Sequence, residues 1–250
     1  MGMLSFVGLG LYDVKSVTVR GAEVIREADF VFLENYTSEL VGSGVEELEE
    51  YYGKDIEILQ REDVEVDPER ILESAKKGNA AILIAGDPMI STTHVDLRLR
   101  ANALGIETKI IHGISSITAA CGLTGLQNYR FGKSTTIPFE PEGKLPDSVH
   151  QTIRENRERG LHTLVYLDIK IEQNRYMRGN EAAERLMGIG EDEMGIVVAR
   201  AGSQNPHVVT DKLKELAKMD FGNPLHLMII PGDLHHMEME ALESFTKMSL

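Results

Sequence analysis

Short apolar runs alternate along the first half of the chain with longer stretches whose apolar residues recur at helical spacing. "LSFVGLG", "FVFLE" (30–34), "IEIL", "AAILIA" (80–85) and "ETKIIH" (107–112) read as five strands. Their nearly continuous apolar character is that of strands buried on both faces. Between the first two, Val17, Gly21, Val24, Ile25 and Ala28 stand at offsets of 0, 4, 7, 8 and 11, one face of a helix. A second helix is expected from about Ser38 to Gly53, a residue suited to a left-handed C-terminal position. A third opens on Asp67-Pro68-Glu69 and closes at Gly78. A fourth, "VDLRLRANALG", follows the turn "GDPMISTTH". Repeated strand–helix–strand units predict a parallel sheet with helices on both faces, which holds ligands at the carboxyl ends of its strands. "VGLGLYD", "LENYTS" and "AGDPMIS" all fall at such ends.

After "GISSITAACGLTGLQNYRFGKS" the pattern changes. Strands are expected at 134–139, 162–168, 195–201 and 226–232, and helices near 146–159, 181–187, 211–218 and 236–248. Residues 140–146, with two prolines and a glycine, read as a loop. The chain is therefore expected to form two α/β domains, 1–112 and 113–250, with a seam in the region 112–132.

The length of 250 residues suits two domains, and 42% hydrophobic with 26% charged residues is ordinary for globular proteins. A net charge of -14 argues against wrapping nucleic acid or lying on an anionic membrane. The one cysteine, Cys121, allows neither an internal disulfide nor a cysteine-based zinc cluster and suits a reducing cytoplasm. No apolar run reaches the roughly 18–20 residues needed to span a bilayer. The opening "MGMLSFVGLG" has neither the basic segment of a signal peptide nor a myristoylation pattern, since Phe6 stands where Ser or Thr is required. A cytoplasmic protein is expected.

"GLGLYD" suggests a dinucleotide fold, and Glu34 stands where a ribose-binding acid would. The fingerprint fails at its third glycine, where Asp13 would repel a pyrophosphate. "GDPMISTTH" is the stronger signal. Gly86 and Pro88 set a turn, and Asp87 at a strand end needs a hydrogen-bonding purpose. The plainer alternative is that Asp87 with Ser91 or Thr92 only caps the following helix. His235 and His236 are adjacent and make a poor metal pair, and no metal site is expected. "EELEE" (46–50) reads as a solvated helix face, and Asp168 is another acid just past a strand.

Taken together, "FVGLGLYD", "READFVFLENYTS", "REDVE", "GDPMISTTH", "CGLTGLQNYRFGKS", "GLHTLVYLDIK", "ARAGSQNP" and "HLMIIPG" resemble, in order and spacing, the diphthine synthase branch of the tetrapyrrole methylase superfamily. The resemblance spans nearly the whole chain. It implies two α/β domains with an inter-domain cleft, a homodimer, and S-adenosylmethionine as cofactor. It further implies methylation of the amino group of a modified histidine on translation elongation factor 2. Carried over residue by residue, the cofactor contacts are Leu11, Asp87, Ile90, Ser116, Ile117, Leu167, Ala201 and His226. The two serines of "HGISSI" leave Ser115 or Ser116 open as the matching position. Methyl transfer to an amine needs a neutral nitrogen, and His94 and Tyr36 are candidates for guiding the proton or the substrate. Alternatives are a tetrapyrrole or other small-molecule methylase, a nucleotide-cofactor oxidoreductase, and a non-catalytic partner of translation.

Overall fold

A computed structural model describes residues 2–140, 145–190 and 192–248. It divides into two compact units, Met1–Ser116 and Ile117–Leu250; the sequence had placed the boundary at 112/113.

The first unit contains β1 (Met3–Gly8), α1 (Val19–Glu27), β2 (Phe30–Glu34), α2 (Val45–Tyr52), β3 (Glu57–Leu59), α3 (Arg61–Glu65), α4 (Glu69–Lys77), β4 (Asn79–Ile84), α5 (His94–Ala103) and β5 (Glu107–Ile111). Its five strands run in the order β3-β2-β4-β1-β5, every pair parallel. Strand residues alternate between two cores. Val7, Val31, Leu33, Ala81 and Leu83 pack with Ile25 of α1 and Leu48 of α2. Leu4, Phe6, Phe32, Ile82 and Ile84 pack with Ile71 of α4 and Leu97 of α5. Burial on both faces explains why these strands read as unbroken apolar runs.

One expected helix is shorter than its pattern. Gly53 does end α2 in the left-handed region (φ 67), but α2 starts at Val45 rather than Ser38. Residues 38–44 are irregular, held by the Gly42 amide on the Tyr12 carbonyl (2.9 Å) and the Val14 amide on Ser43 Oγ (3.2 Å). These contacts cross the sequence and leave no local periodicity.

The second unit contains α6 (Ser116–Thr124), β6 (Thr135–Ile137), α7 (Asp147–Arg157), β7 (Thr163–Leu167), β8 (Ile169–Lys170), β9 (Arg175–Tyr176), α8 (Gly179–Leu186), β10 (Met194–Ala199), β11 (His207–Lys212), α9 (Leu213–Leu216), β12 (His226–Ile230), α10 (His236–Phe245) and β13 (Lys247–Met248). Its main sheet, β13-β11-β10-β12-β7-β6, is mixed: β10 is antiparallel to both neighbours, and β12 is antiparallel to β7. The helix expected at 211–218 is corrected. Residues 207–212 form β11, paired with β10 over six positions, and only Leu213–Leu216 is helical. The helix expected through 248 ends at Phe245 and gives way to β13. Residues 141–144 of the expected loop lie outside the described residues. Among the described residues, no helix is long and apolar enough to cross a membrane.

Candidate functional site

In the first unit, the turns that leave β1 and β4 are tied to each other. The Gly86 amide donates to the Gly10 carbonyl (2.6 Å), and the Gly10 amide donates to the Gly86 carbonyl (3.3 Å). Both glycines lie at positive φ, +80 and +76, where a side chain would be strained. The turn after β5 presses against the same place. A Cβ on Gly113 would run into the Gly86 carbonyl oxygen, and one on Gly8 would lie 2.6 Å from that oxygen. Three strand ends therefore meet backbone to backbone, and Leu11, Asp87 and Ile90 project from turns that cannot move independently.

Asp87 is buried and engaged at both oxygens. Oδ1 accepts the Met89 amide (2.9 Å), and Oδ2 lies 2.8 Å from Nδ1 of the exposed His112. The first bond is the local turn bond that the plainer reading expects. A carboxylate has about four acceptor sites, so two partners leave it able to take ligand donors as well. Ile90, 43% exposed in the same turn, is an apolar side chain with one face uncovered. Leu11 is half-buried. His112 was read only as the end of a strand; its pairing with Asp87 depends on β5 lying two strands from β4.

Tyr36 and His94 are brought together around Glu34. His94 is fully buried, with Nδ1 2.9 Å from the Pro88 carbonyl oxygen and 2.9 Å from Thr92 Oγ1. A carbonyl can only accept, so Nδ1 carries the hydrogen. Nε2 then faces Glu34 Oε2 at 3.4 Å, a contact without hydrogen-bond geometry. Glu34 Oε1 accepts the Thr37 amide (2.8 Å). Glu34 is thus committed to the Thr37 amide and to the contact with His94 behind the GDP turn. The Tyr36 hydroxyl is buried without a hydrogen-bond partner. Burial first, then Glu34 and Glu65, push its pKa far above that of an ordinary phenol, against a smaller opposing effect of Arg61. Arg61 stacks over its ring at 4.8 Å. Tyr36 therefore stays protonated at neutral pH.

Asp13, the residue that broke the dinucleotide fingerprint, accepts the Lys15 amide (3.0 Å) and caps the short turn 14–16.

In the second unit, antiparallel pairing brings distant residues to one end of the sheet. Ala199 pairs with His226 and Leu227 with Tyr166, so the turn holding Ala201, the start of β12 at His226 and the end of β7 at Leu167 are neighbours. Ser116 and Ile117 open α6 and are half-buried. The His226 ring is committed to the fold: Nδ1 accepts the Gly179 amide (3.0 Å) and Nε2 donates to the Asn223 carbonyl (2.9 Å). Burial pushes it down to about 4; the Asn223 bond opposes this, and Arg200 and Arg178 reinforce it. The ring is neutral at physiological pH. Asp168 is structural, holding the amides of Phe139 (2.8 Å) and Ile169 (2.9 Å). Among the described residues, no three His, Cys, Asp or Glu side chains are placed to hold a metal ion.

The model of the tetrapyrrole (corrin/porphyrin) methylases matches residues 3–217. A diphthine synthase of Halorubrum lacusprofundi is 54% identical over 252 residues, covering 96% of this chain and 95% of its own. That of Haloarcula marismortui is 54% identical over 252 residues, with 97% of each chain covered. A crystal structure titled as diphthine synthase superposes with a TM-score of 0.92 at 43% identity, covering 99% of this chain and 97% of that one.

Proposed function

The chain belongs to the tetrapyrrole (corrin/porphyrin) methylase family, and we propose from that premise that it carries out the diphthine synthase reaction. In that reaction, methyl groups pass from S-adenosylmethionine to the amino group of a modified histidine on translation elongation factor 2. The likeness to diphthine synthases over nearly the full length carries this reading. The reading includes a cytoplasmic homodimer.

The cofactor contacts we assign are Leu11, Asp87 and Ile90 in the first unit, with Ser116, and Ile117, Leu167, Ala201 and His226 in the second. S-adenosylmethionine supplies a methyl group already activated by its positive sulfur, so the chain's task is positioning, worth up to about 7–11 kcal/mol in favourable intramolecular models. The Asp87 carboxylate can accept from an ammonium or a ribose hydroxyl. Leu11, Ile90, Ile117 and Leu167 offer apolar walls that exclude water. A neutral His226 places no positive charge against a sulfonium. Its ring nitrogens are both in use, so it meets a ligand through its main chain or ring edge.

The acceptor nitrogen must be unprotonated, and apolar, desolvating surroundings favour that form. Tyr36 cannot act as a base while its phenol is held protonated. His94 is fully buried. We assign it a positioning role: its Nδ1–H on the Pro88 carbonyl fixes the turn that presents Asp87.

Transfer of a labelled methyl group tests the reading. The protein should label elongation factor 2 carrying the unmethylated modified histidine, with activity eluting at twice the 27.8 kDa chain mass. Labelling of a porphyrinoid control instead would overturn the substrate assignment.

A further inference from the structure

The first unit contains a cavity of about 260 Å³ that none of the assigned cofactor contacts line. We propose that it seats the methyl acceptor itself: one aliphatic, amine-bearing side chain of a protein substrate. The inference rests on the methyl-transfer reading above and adds to it a place for the substrate.

Location carries the argument first. The cavity wall includes Leu9 and Ala85, the residues just before Gly10 and Gly86. Those two glycines form the bridge between the β1 and β4 turns, and Leu11 and Asp87 follow immediately beyond it. A group in the cavity is therefore two residues away from assigned cofactor contacts along both turns. The opposite wall is the irregular segment 35–44, which is fastened to the β1 turn by the Gly42–Tyr12 and Val14–Ser43 bonds and to β2 by the Thr37 amide on Glu34. The cavity is thus preformed against the turns that hold the donor.

Its size selects the substrate class. Pockets for whole small molecules run from about 300 to 1,000 Å³. A cavity just below that range encloses a single side chain and not a tetrapyrrole macrocycle.

The chemistry of the wall fits an amine that acquires methyl groups. Leu9, Leu33 and Ala85 are apolar, while Asn35, Ser38 and Glu39 are polar or acidic, and Glu34 borders the same space. Each methyl added to an ammonium removes an N–H donor and adds apolar surface, yet the positive charge stays. Carboxylates attract that charge whatever the number of N–H groups, and the leucines accommodate the methyls. A wall built only of hydrogen-bond acceptors would reject the more highly methylated forms.

Two variants test the proposal in steady-state transfer to modified elongation factor 2. Val41→Phe fills the cavity from its lining, and Glu39→Gln removes one carboxylate with little change of shape. Each should raise the KM for the protein acceptor, Val41→Phe by about tenfold or more, and leave S-adenosylmethionine affinity within about twofold. An unchanged acceptor KM in folded variants, or cofactor affinity falling in step, would overturn it. Should Val41→Phe fail to fold, Glu39→Gln decides alone. If wild-type protein labels no elongation factor at all, it is the parent reading that fails; a wild type that labels normally beside indifferent variants rejects the cavity alone.

Discussion

Gly113→Ala is expected to damage both stability and cofactor binding, although Gly113 has no side chain to lose. The new methyl group would collide with the Gly86 carbonyl oxygen and lie 2.8 Å from the Gly8 carbonyl carbon and 2.9 Å from its Cα. Every obstacle is backbone, so nothing can rotate away. The strands concerned, β1, β4 and β5, are adjacent in the sheet, with β1 at the centre of the three. Relief therefore requires a turn to shift. Overpacking of this kind costs about 1–3 kcal/mol of unfolding free energy. The turn displaced is the one that presents Asp87, and misplacement of about 1 Å can cost up to 10²-fold in function. A loss of cofactor affinity of about tenfold or more should accompany the loss of stability. Gly122→Ala is the control, because its added methyl meets nothing within 4 Å and it lies inside α6. It should be neutral or stabilising by up to about 1 kcal/mol. Denaturant titration and calorimetry on both variants check this; a Gly113→Ala protein with wild-type stability and affinity would contradict the backbone-contact account.

The second large effect is expected in the other unit, at a carboxylate the sequence did not single out. Glu238 is fully buried at the start of α10. It accepts the amides of Gln127 (2.9 Å) and His235 (2.9 Å) and lies 3.1 Å from His162 Nε2. His162 Nδ1 in turn accepts the Gly232 amide (3.0 Å), so Nε2 carries the hydrogen. Glu238→Ala strands the buried His162 Nε2–H and the partly buried amides of Gln127 and His235 at once, a loss of about 3–5 kcal/mol by comparison with other broken buried pairs. Burial by itself would raise the carboxyl's pKa; the bonds from Gln127, His235 and His162 outweigh it and hold the group below its ordinary range. The sign follows from that direction. A depressed carboxyl stabilises the fold above its unfolded pKa, about 4.3 for Glu, and that contribution fades as pH falls through the lower folded value. The gap between wild type and Glu238→Ala should therefore be full at pH 7 and shrink in acid. A gap that does not shrink at all as the pH is lowered into acid would contradict the assignment.

Much of the first unit was legible because its strands are buried on both faces. "AAILIA" can hardly be anything but a covered strand, and a Gly-Asp-Pro turn after it marks a ligand-facing end. What could not be read there depends on strand order. The collision of Gly113 with Gly86 and the pairing of His112 with Asp87 require knowing that β1 lies between β4 and β5 in the sheet. Glu34 was misleading for a related reason: it stands where a ribose-binding acid would, yet α5 delivers His94 against it. In the second unit, "VVTDKLKELAKM" carries a helical charge pattern that outweighed two valines, and the sixfold register with β10 settles those residues as strand. Leu167, Ala201 and His226 came together only through antiparallel pairing, and no local spacing signals that. Resemblance located them in the sequence; topology explains why they stand at one end of the sheet.

The central claim is that the bridged turns of β1 and β4 present Asp87 as an acceptor for S-adenosylmethionine. Calorimetric titration of that cofactor into wild type and Asp87→Ala measures it directly. Loss of a charge-assisted hydrogen bond, about 1.5–3 kcal/mol, predicts roughly tenfold or greater weakening in a variant that remains folded. Equal affinities in the two proteins would leave the carboxylate serving only Met89 and His112, and the cradle would have to lie elsewhere.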